Sequence, residues 1–147
     1  MPSRKIITKQ LGELLIERKI ITQDQLNEAL LLQKQKGGLI GEVLVDMGYA
    51  KEIDIAQAIT TQYGYPYLPL SNYEIGSEII SIIPERVCRQ YCLMPIDKIG
   101  NTLTVSMSNP LNLQAVEDIE TLTKLSVQIF VSTFSDIKNA IDKFYKK

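Results

Sequence analysis

Residues 10–33 read QLGELLIERKIITQDQLNEALLLQ, and residues 39–62 read LIGEVLVDMGYAKEIDIAQAITTQ. Placed one above the other, the two stretches align without a gap. Gly12 meets Gly41, Glu13 meets Glu42, Leu15 meets Leu44, Ala29 meets Ala58 and Gln33 meets Gln62. Leu11/Ile40, Leu14/Val43, Ile16/Val45, Glu17/Asp46, Leu26/Ile55 and Leu30/Ile59 are conservative pairs. Only the spacer KQKGG separates the copies. An internal repeat of this kind marks a supersecondary unit that buries its apolar face against a neighbour. Two copies are too few for a solenoid, so a compact pseudo-symmetric bundle is expected.

Each copy carries the rhythm of a short helix followed by a longer one. Leu11, Leu14 and Leu15, with Arg18 at the next step, keep helical spacing. Thr22 then precedes QDQLNEALLLQKQK, and Gln25 completes a capping-box pattern. Leu26, Ala29, Leu30 and Gln33 fall on one face. Gly37 and Gly38 end that helix and turn the chain. A third helix is expected over 40–47, stopped by Gly48. A fourth is expected over 51–63, with Ile55, Ala58, Ile59 and Gln62 on one face.

The composition changes at residues 63–70, YGYPYLPL, which suits an extended linker with some β character. The boundary between a helical subdomain (1–63) and a second lobe (64–147) is expected there. Residues 76–91 read as one or two short helices broken before Pro84, which fits a first helical turn. LMPIDKIGNTLTVSMS reads as a β-hairpin turning at IGN, with Leu103, Val105 and Met107 on one strand face. A helix over about 111–124 follows Asn109-Pro110, then a strand in SVQIFVST, then a final helix to Tyr145 capped by Ser135 and Asp136. The fold class is therefore α+β: a bundle of four short helices in two tandem hairpins, followed by a small α/β sandwich lobe with a mixed or antiparallel sheet.

Charge and composition exclude several functions. The formal net charge is -1 over 147 residues, so the chain is not a polyelectrolyte binder of DNA or RNA. Without histidine it lacks the commonest general base and metal ligand. Cys88 and Cys92 would share one helical face, and they read as two buried thiols rather than a zinc site or a disulfide. No phosphate-cradling P-loop, dinucleotide fingerprint, nucleophile elbow or metalloprotease motif is present. Glu13, Glu17, Glu28 and Glu42 read as a solvated face. The chain is expected not to be an enzyme. No stretch reaches a membrane span, and MPSRKIITKQ has no secretory apolar region, so a cytoplasmic location is expected.

The repeat allows two readings. In one, the glycines let helices approach closely, the leucines are core, and the amides bond neighbouring helix ends. In the other, the Leu-Gly step is a phosphate-facing turn near a helix start. Leu11 and Ile40 then touch a sugar or base, and Gln33 and Gln62 meet a nucleobase edge by donating and accepting. Two such sets would suit a ligand made of two phosphate-plus-base halves.

The twice-written pattern R-L-G-x-x-φ-φ-x-x-G-φ-φ-x-x-x-x-L-x-x-x-L-x-x-Q, φ being Leu, Ile or Val, resembles the MshEN domain. That is the N-terminal domain of type II secretion and type IV pilus assembly ATPases, many members of which bind cyclic di-GMP. YGYPYLPLSNYEI, IIPERVCRQYCLMPI, NTLTVSMSNPLNLQAVEDI and IKNAIDKFY resemble the rest of the family's pattern, so the likeness covers nearly the whole chain. The resemblance implies a ligand site built from Gln10, Leu11, Gly12, Leu26, Leu30, Gln33, Leu39, Ile40, Gly41, Ile55, Ile59, Gln62 and Asn109. It implies no cofactor or metal, and cyclic di-GMP as the possible ligand. The implied partners are a secretion or pilus ATPase and inner-membrane platform proteins, with no direct membrane insertion, so that any membrane association is peripheral and runs through a partner.

The chain departs from the pattern at four places. Gln10 and Leu39 stand where the family has arginine, a bidentate phosphate or guanine fork that glutamine cannot replace. Lys19 stands where the first copy should have glycine. Asn109 stands where relatives often carry aspartate. Lys9, Lys19 and Lys34 offer charge from other positions. Both a nucleotide-binding module and a docking module that has lost its nucleotide are compatible with the sequence.

Overall fold

The computed structural model describes residues 10–145. Lys9 and the rest of the basic start, read above as non-secretory, lie outside the described residues.

The two sequence copies are two helical hairpins. The first pairs α1 (Leu11–Glu17) with α2 (Gln23–Lys36), and the second pairs α3 (Ile40–Asp46) with α4 (Glu52–Tyr63). The capping box at α2 forms as expected: Thr22 Oγ1 accepts from the Gln25 N–H at 3.2 Å, and the Gln25 side chain accepts from the Thr22 N–H at 2.9 Å. Each hairpin turns through one left-handed residue at the same motif position, Gly48 with φ 80° and Lys19 with φ 61°. The family glycine at this position is thus a conformational requirement. Lys19 meets it while carrying a Cβ that the left-handed region disfavours.

The second half contains α5 (Ser77–Ile80), α6 (Glu85–Tyr91), β1 (Leu93–Ile99), β2 (Thr102–Met107), α7 (Leu113–Thr123), β3 (Ser126–Val131) and α8 (Phe134–Phe144). The sheet order is β1-β2-β3, antiparallel between β1 and β2 and parallel between β2 and β3, so it is mixed. The hairpin turns at Gly100 (φ 59°). The Tyr/Pro run is extended, as expected, and adds a parallel bridge from Tyr67 to Val131 beside β3.

Local details differ from expectation. Pro84 is the N-cap of α6 rather than part of its first turn. Thr133, not Ser135 or Asp136, caps α8, because its Oγ1 accepts from the Asp136 N–H at 3.3 Å. Ser135 is thereby released to donate to Glu52 at 2.7 Å, and Asp136 accepts the Leu70 N–H at 3.2 Å. Cys92 ends α6 in the left-handed region (φ 54°), so the cysteines do not continue along one helical face. Both thiols are free and buried, and burial pushes Cys88 up to about 11 and Cys92 up to about 12.

Two cores result. One is built from the sheet and from α5 to α8, with Ile83, Leu93, Leu103, Ile119, Ile137 and Ile141 among its most buried members. The other is built from the hairpins, with Leu14, Leu15, Leu44 and Ile59 fully buried. Tyr65, Leu111 and Val131 reach into this second core from beyond the hairpins. That reach brings the loop before α7 against the first hairpin.

Candidate functional site

The glycines set the spacing between helices. Gly12 lies inside α1, where a Cβ would sit 2.8 Å from both methyl groups of Leu26 on α2. Gly41 lies inside α3, where a Cβ would sit 3.4 Å from a Leu11 methyl and 3.9 Å from Ile55 on α4. Gly12 with Leu26 and Gly41 with Ile55 are therefore the same contact made twice. The Leu-Gly step is helical backbone at a close helix crossing, which corrects its reading as a turn.

The first copy opens onto a cleft of about 820 Å³. Gln10, Leu11, Gly12, Leu26, Leu30 and Gln33 line it from the first copy, Leu39 and Ile40 from the start of the second, and Asn109 from the loop before α7. The structure thus brings nine of the thirteen candidate residues together, although Asn109 is distant in sequence. Glu13, Leu111, Asn112 and Leu113 line the cleft as well and were not anticipated. Asn112 could have been found by its role as N-cap of α7, where its side chain accepts from the Ala115 N–H at 3.3 Å.

Gly41, Ile55, Ile59 and Gln62 do not line this cleft. Ile59 is fully buried, whereas its counterpart Leu30 is 44% exposed. Gln62 is exposed and accepts a hydrogen bond from the Arg18 guanidinium at 3.1 Å. The structure therefore brings only the first copy's glutamine to this cleft, and the two glutamines have different surroundings.

The cleft walls are mainly aliphatic, with amides between them. Gln33 donates through Nε2 to the Gly38 carbonyl at 3.0 Å, which directs the acceptor end of this amide elsewhere. The acceptor oxygen of Asn109 is taken by the Leu111 N–H at 3.1 Å. Gln10 is the N-cap of α1 but makes no side-chain cap bond. Among the described residues the one charged lining residue is Glu13, for which no ion pair or hydrogen bond is present. Lys19 and Lys34, expected to supply charge, are not among the lining residues. Glu42, the counterpart of Glu13, is not a solvated carboxylate: it pairs at 2.9 Å with Lys138 of α8 and is 18% exposed. This bond to Glu42 holds the Lys138 ammonium above its ordinary value.

Comparison with known proteins places these observations in context. The MshEN domain model matches residues 63–147, the half that carries the sheet. The chain is 32% identical over 136 residues to the type IV pilus assembly ATPase PilB of Myxococcus xanthus, a match covering 92% of the chain and 24% of that protein. Similarity to PilB of Thermus thermophilus is 32% over 139 residues, covering 93% and 16% respectively. The chain thus spans a quarter or less of these relatives' length. The structure of MshE with cdg (cyclic di-GMP) superposes with TM-score 0.68 and 27% identity, covering 93% of this chain and 99% of that one. The N-terminal domain of XpsE shares the fold, with TM-score 0.76 at 20% identity and coverage of 98% and 99%.

Proposed function

The chain belongs to the MshEN domain family, and from that premise we propose that it is a non-catalytic regulatory module that binds cyclic di-GMP. It serves a type IV pilus or type II secretion machine, acting in the cytoplasm and meeting the inner membrane through a protein partner. No helix among the described residues is long and apolar enough to cross a membrane. The helical part (1–63) supplies most of the ligand site, and the α/β part (64–147) closes it through Asn109.

One observation carries this reading: eight motif residues and Asn109, from three separated parts of the chain, line a single cleft. Small-molecule clefts are typically on the order of 300–1,000 Å³, apolar, with a few convergent polar groups. Here Leu30 and Ile40, over the buried Leu11 and Leu26, offer apolar contact for a guanine face, and the amides of Gln10 and Gln33 offer edge contacts. Calorimetric titration of cyclic di-GMP at moderate salt is expected to give saturable heat and a rise in unfolding temperature. No heat and no thermal shift at high ligand concentration would overturn the proposal. Gln10→Arg is expected to tighten binding by restoring a bidentate cation. Unchanged affinity would remove position 10 from the site.

A second reading rests on a different observation. No lysine or arginine is among the described residues lining the cleft, and Glu13 adds negative charge where a dianionic ligand would sit. That arrangement favours a docking module for an ATPase or an inner-membrane platform protein that has lost its nucleotide. Pull-down against platform proteins, positive in the absence of any nucleotide response, is the result that would select it.

A further inference from the structure

We propose that Glu13 is the guanine-selecting residue of the cleft, accepting hydrogen bonds from N1–H and the N2 amino group of a bound base. The inference rests on the cyclic di-GMP reading above and deepens it. Three observations lead to it. Glu13 lines the cleft and, among the described residues, has no bonded partner to compete with a ligand. Its counterpart Glu42 has the same motif position and is occupied by Lys138 at 2.9 Å. Position in the motif therefore does not by itself commit this carboxylate; the absence of a partner does.

The third observation concerns the alternatives. Asn109 has its oxygen engaged by the Leu111 N–H at 3.1 Å, and Asn112 has its own engaged by the Ala115 N–H at 3.3 Å. Guanine's Watson–Crick edge offers two adjacent donors beside one acceptor. A carboxylate has two acceptor oxygens at matching separation, whereas the neutral amides Gln10 and Gln33 each have one. Adenine offers an acceptor at N1, which would face a Glu13 lone pair directly. A site that meets its ligand through paired hydrogen bonds rejects an analogue that cannot make them. On this account the negative charge of Glu13, unfavourable toward the phosphodiesters, is offset by charge-assisted bonds to the base.

Titration of cyclic di-GMP and cyclic di-AMP into the full chain and into Glu13→Gln and Glu13→Ala tests the assignment, with thermal unfolding as the control for folding. The unsubstituted chain is expected to favour cyclic di-GMP. Each substitution is expected to weaken cyclic di-GMP by about tenfold or more, the scale of one lost bond to a charged group. It is also expected to bring the guanine-to-adenine ratio toward one, with the unfolding temperature unchanged. Tighter binding of both dinucleotides by Glu13→Gln would show that Glu13 merely repels phosphate, and would overturn the assignment while leaving the cleft reading intact. An unaltered ratio would overturn it in the same way. Failure of the unsubstituted chain to bind either dinucleotide would overturn the cleft reading itself.

Discussion

Leu30 and Ile59 occupy the same position in two copies of one motif, yet Leu30 is 44% exposed at a cleft and Ile59 is fully buried. Glu13 and Glu42 differ in the same sense, one without a bonded partner at the cleft and the other bound to Lys138. Gln33 lines the cleft, and Gln62 is held by Arg18 outside it. The local structure of the copies is nevertheless alike: short helix, left-handed turn residue, longer helix, glycine at the crossing. The divergence comes from what packs on each copy. The second hairpin lies against α8 through Glu42–Lys138 and Glu52–Ser135, and the first faces the loop that carries Asn109. A repeated sequence fixes a repeated unit; the neighbours decide which copy opens onto the cleft.

The comparison can be broken most severely at Leu30 and Ile59. Ile59→Ala is expected to cost about 2–5 kcal/mol, as for a fully buried aliphatic side chain. Leu30→Ala is expected to cost less than about 1 kcal/mol while weakening ligand binding. Denaturant unfolding of both variants checks this, and equal losses would contradict the asymmetry. The turn residues come next. Lys19→Gly is expected to stabilise by about 1 kcal/mol by relieving a left-handed residue, and Gly48→Ala to destabilise by a similar amount. Unfolding midpoints of the pair measure both signs.

The glycines at the helix crossings give a smaller and more local contrast. Gly41→Ala meets its neighbour at 3.4 Å and gains helix propensity, so it is expected to be neutral or stabilising by up to about 1 kcal/mol. Gly12→Ala would meet Leu26 at 2.8 Å, forcing that side chain to shift at the cleft wall. That variant is expected to lose ligand affinity and any stability gain, measured by calorimetry alongside unfolding. The smallest effect is the ion pair. A Glu42→Gln, Lys138→Met double-mutant cycle is expected to show about 0.2–1 kcal/mol, the range for exposed pairs, since Lys138 is 55% exposed. Because the folded state raises the Lys138 pKa above 10.5, this stabilisation is present below pH 10.5 and lost as pH rises through the folded value. Unfolding of the unsubstituted chain and the double variant across that range checks the direction.

The local features were legible in the sequence because they depend on neighbours along the chain. The Thr22–Gln25 capping box, the glycine stops, the IGN turn and the tandem hairpins all formed where their residue types require. The start of α8 was misplaced because Thr133, Ser135 and Asp136 are all competent capping residues close together, and the bonds to Glu52 and Leu70 that claim the last two span distant sequence. The roles of Gln62 and Glu42 were hidden for the same reason. Their partners Arg18 and Lys138 lie 44 positions back and 96 positions on, and no periodicity within the repeat encodes them. Nine of the thirteen resemblance-derived residues meet at one cleft, while the four that do not all belong to the second copy.

The most direct test of the account is an amide chemical-shift titration of the folded chain with cyclic di-GMP. The account predicts saturable shifts concentrated at residues 10–13, 26–33, 39–40 and 109–113, with Ile55, Ile59 and Gln62 little affected. A spectrum that does not move, or shifts centred on residues 55–62, would contradict the assignment of ligand binding to the first copy.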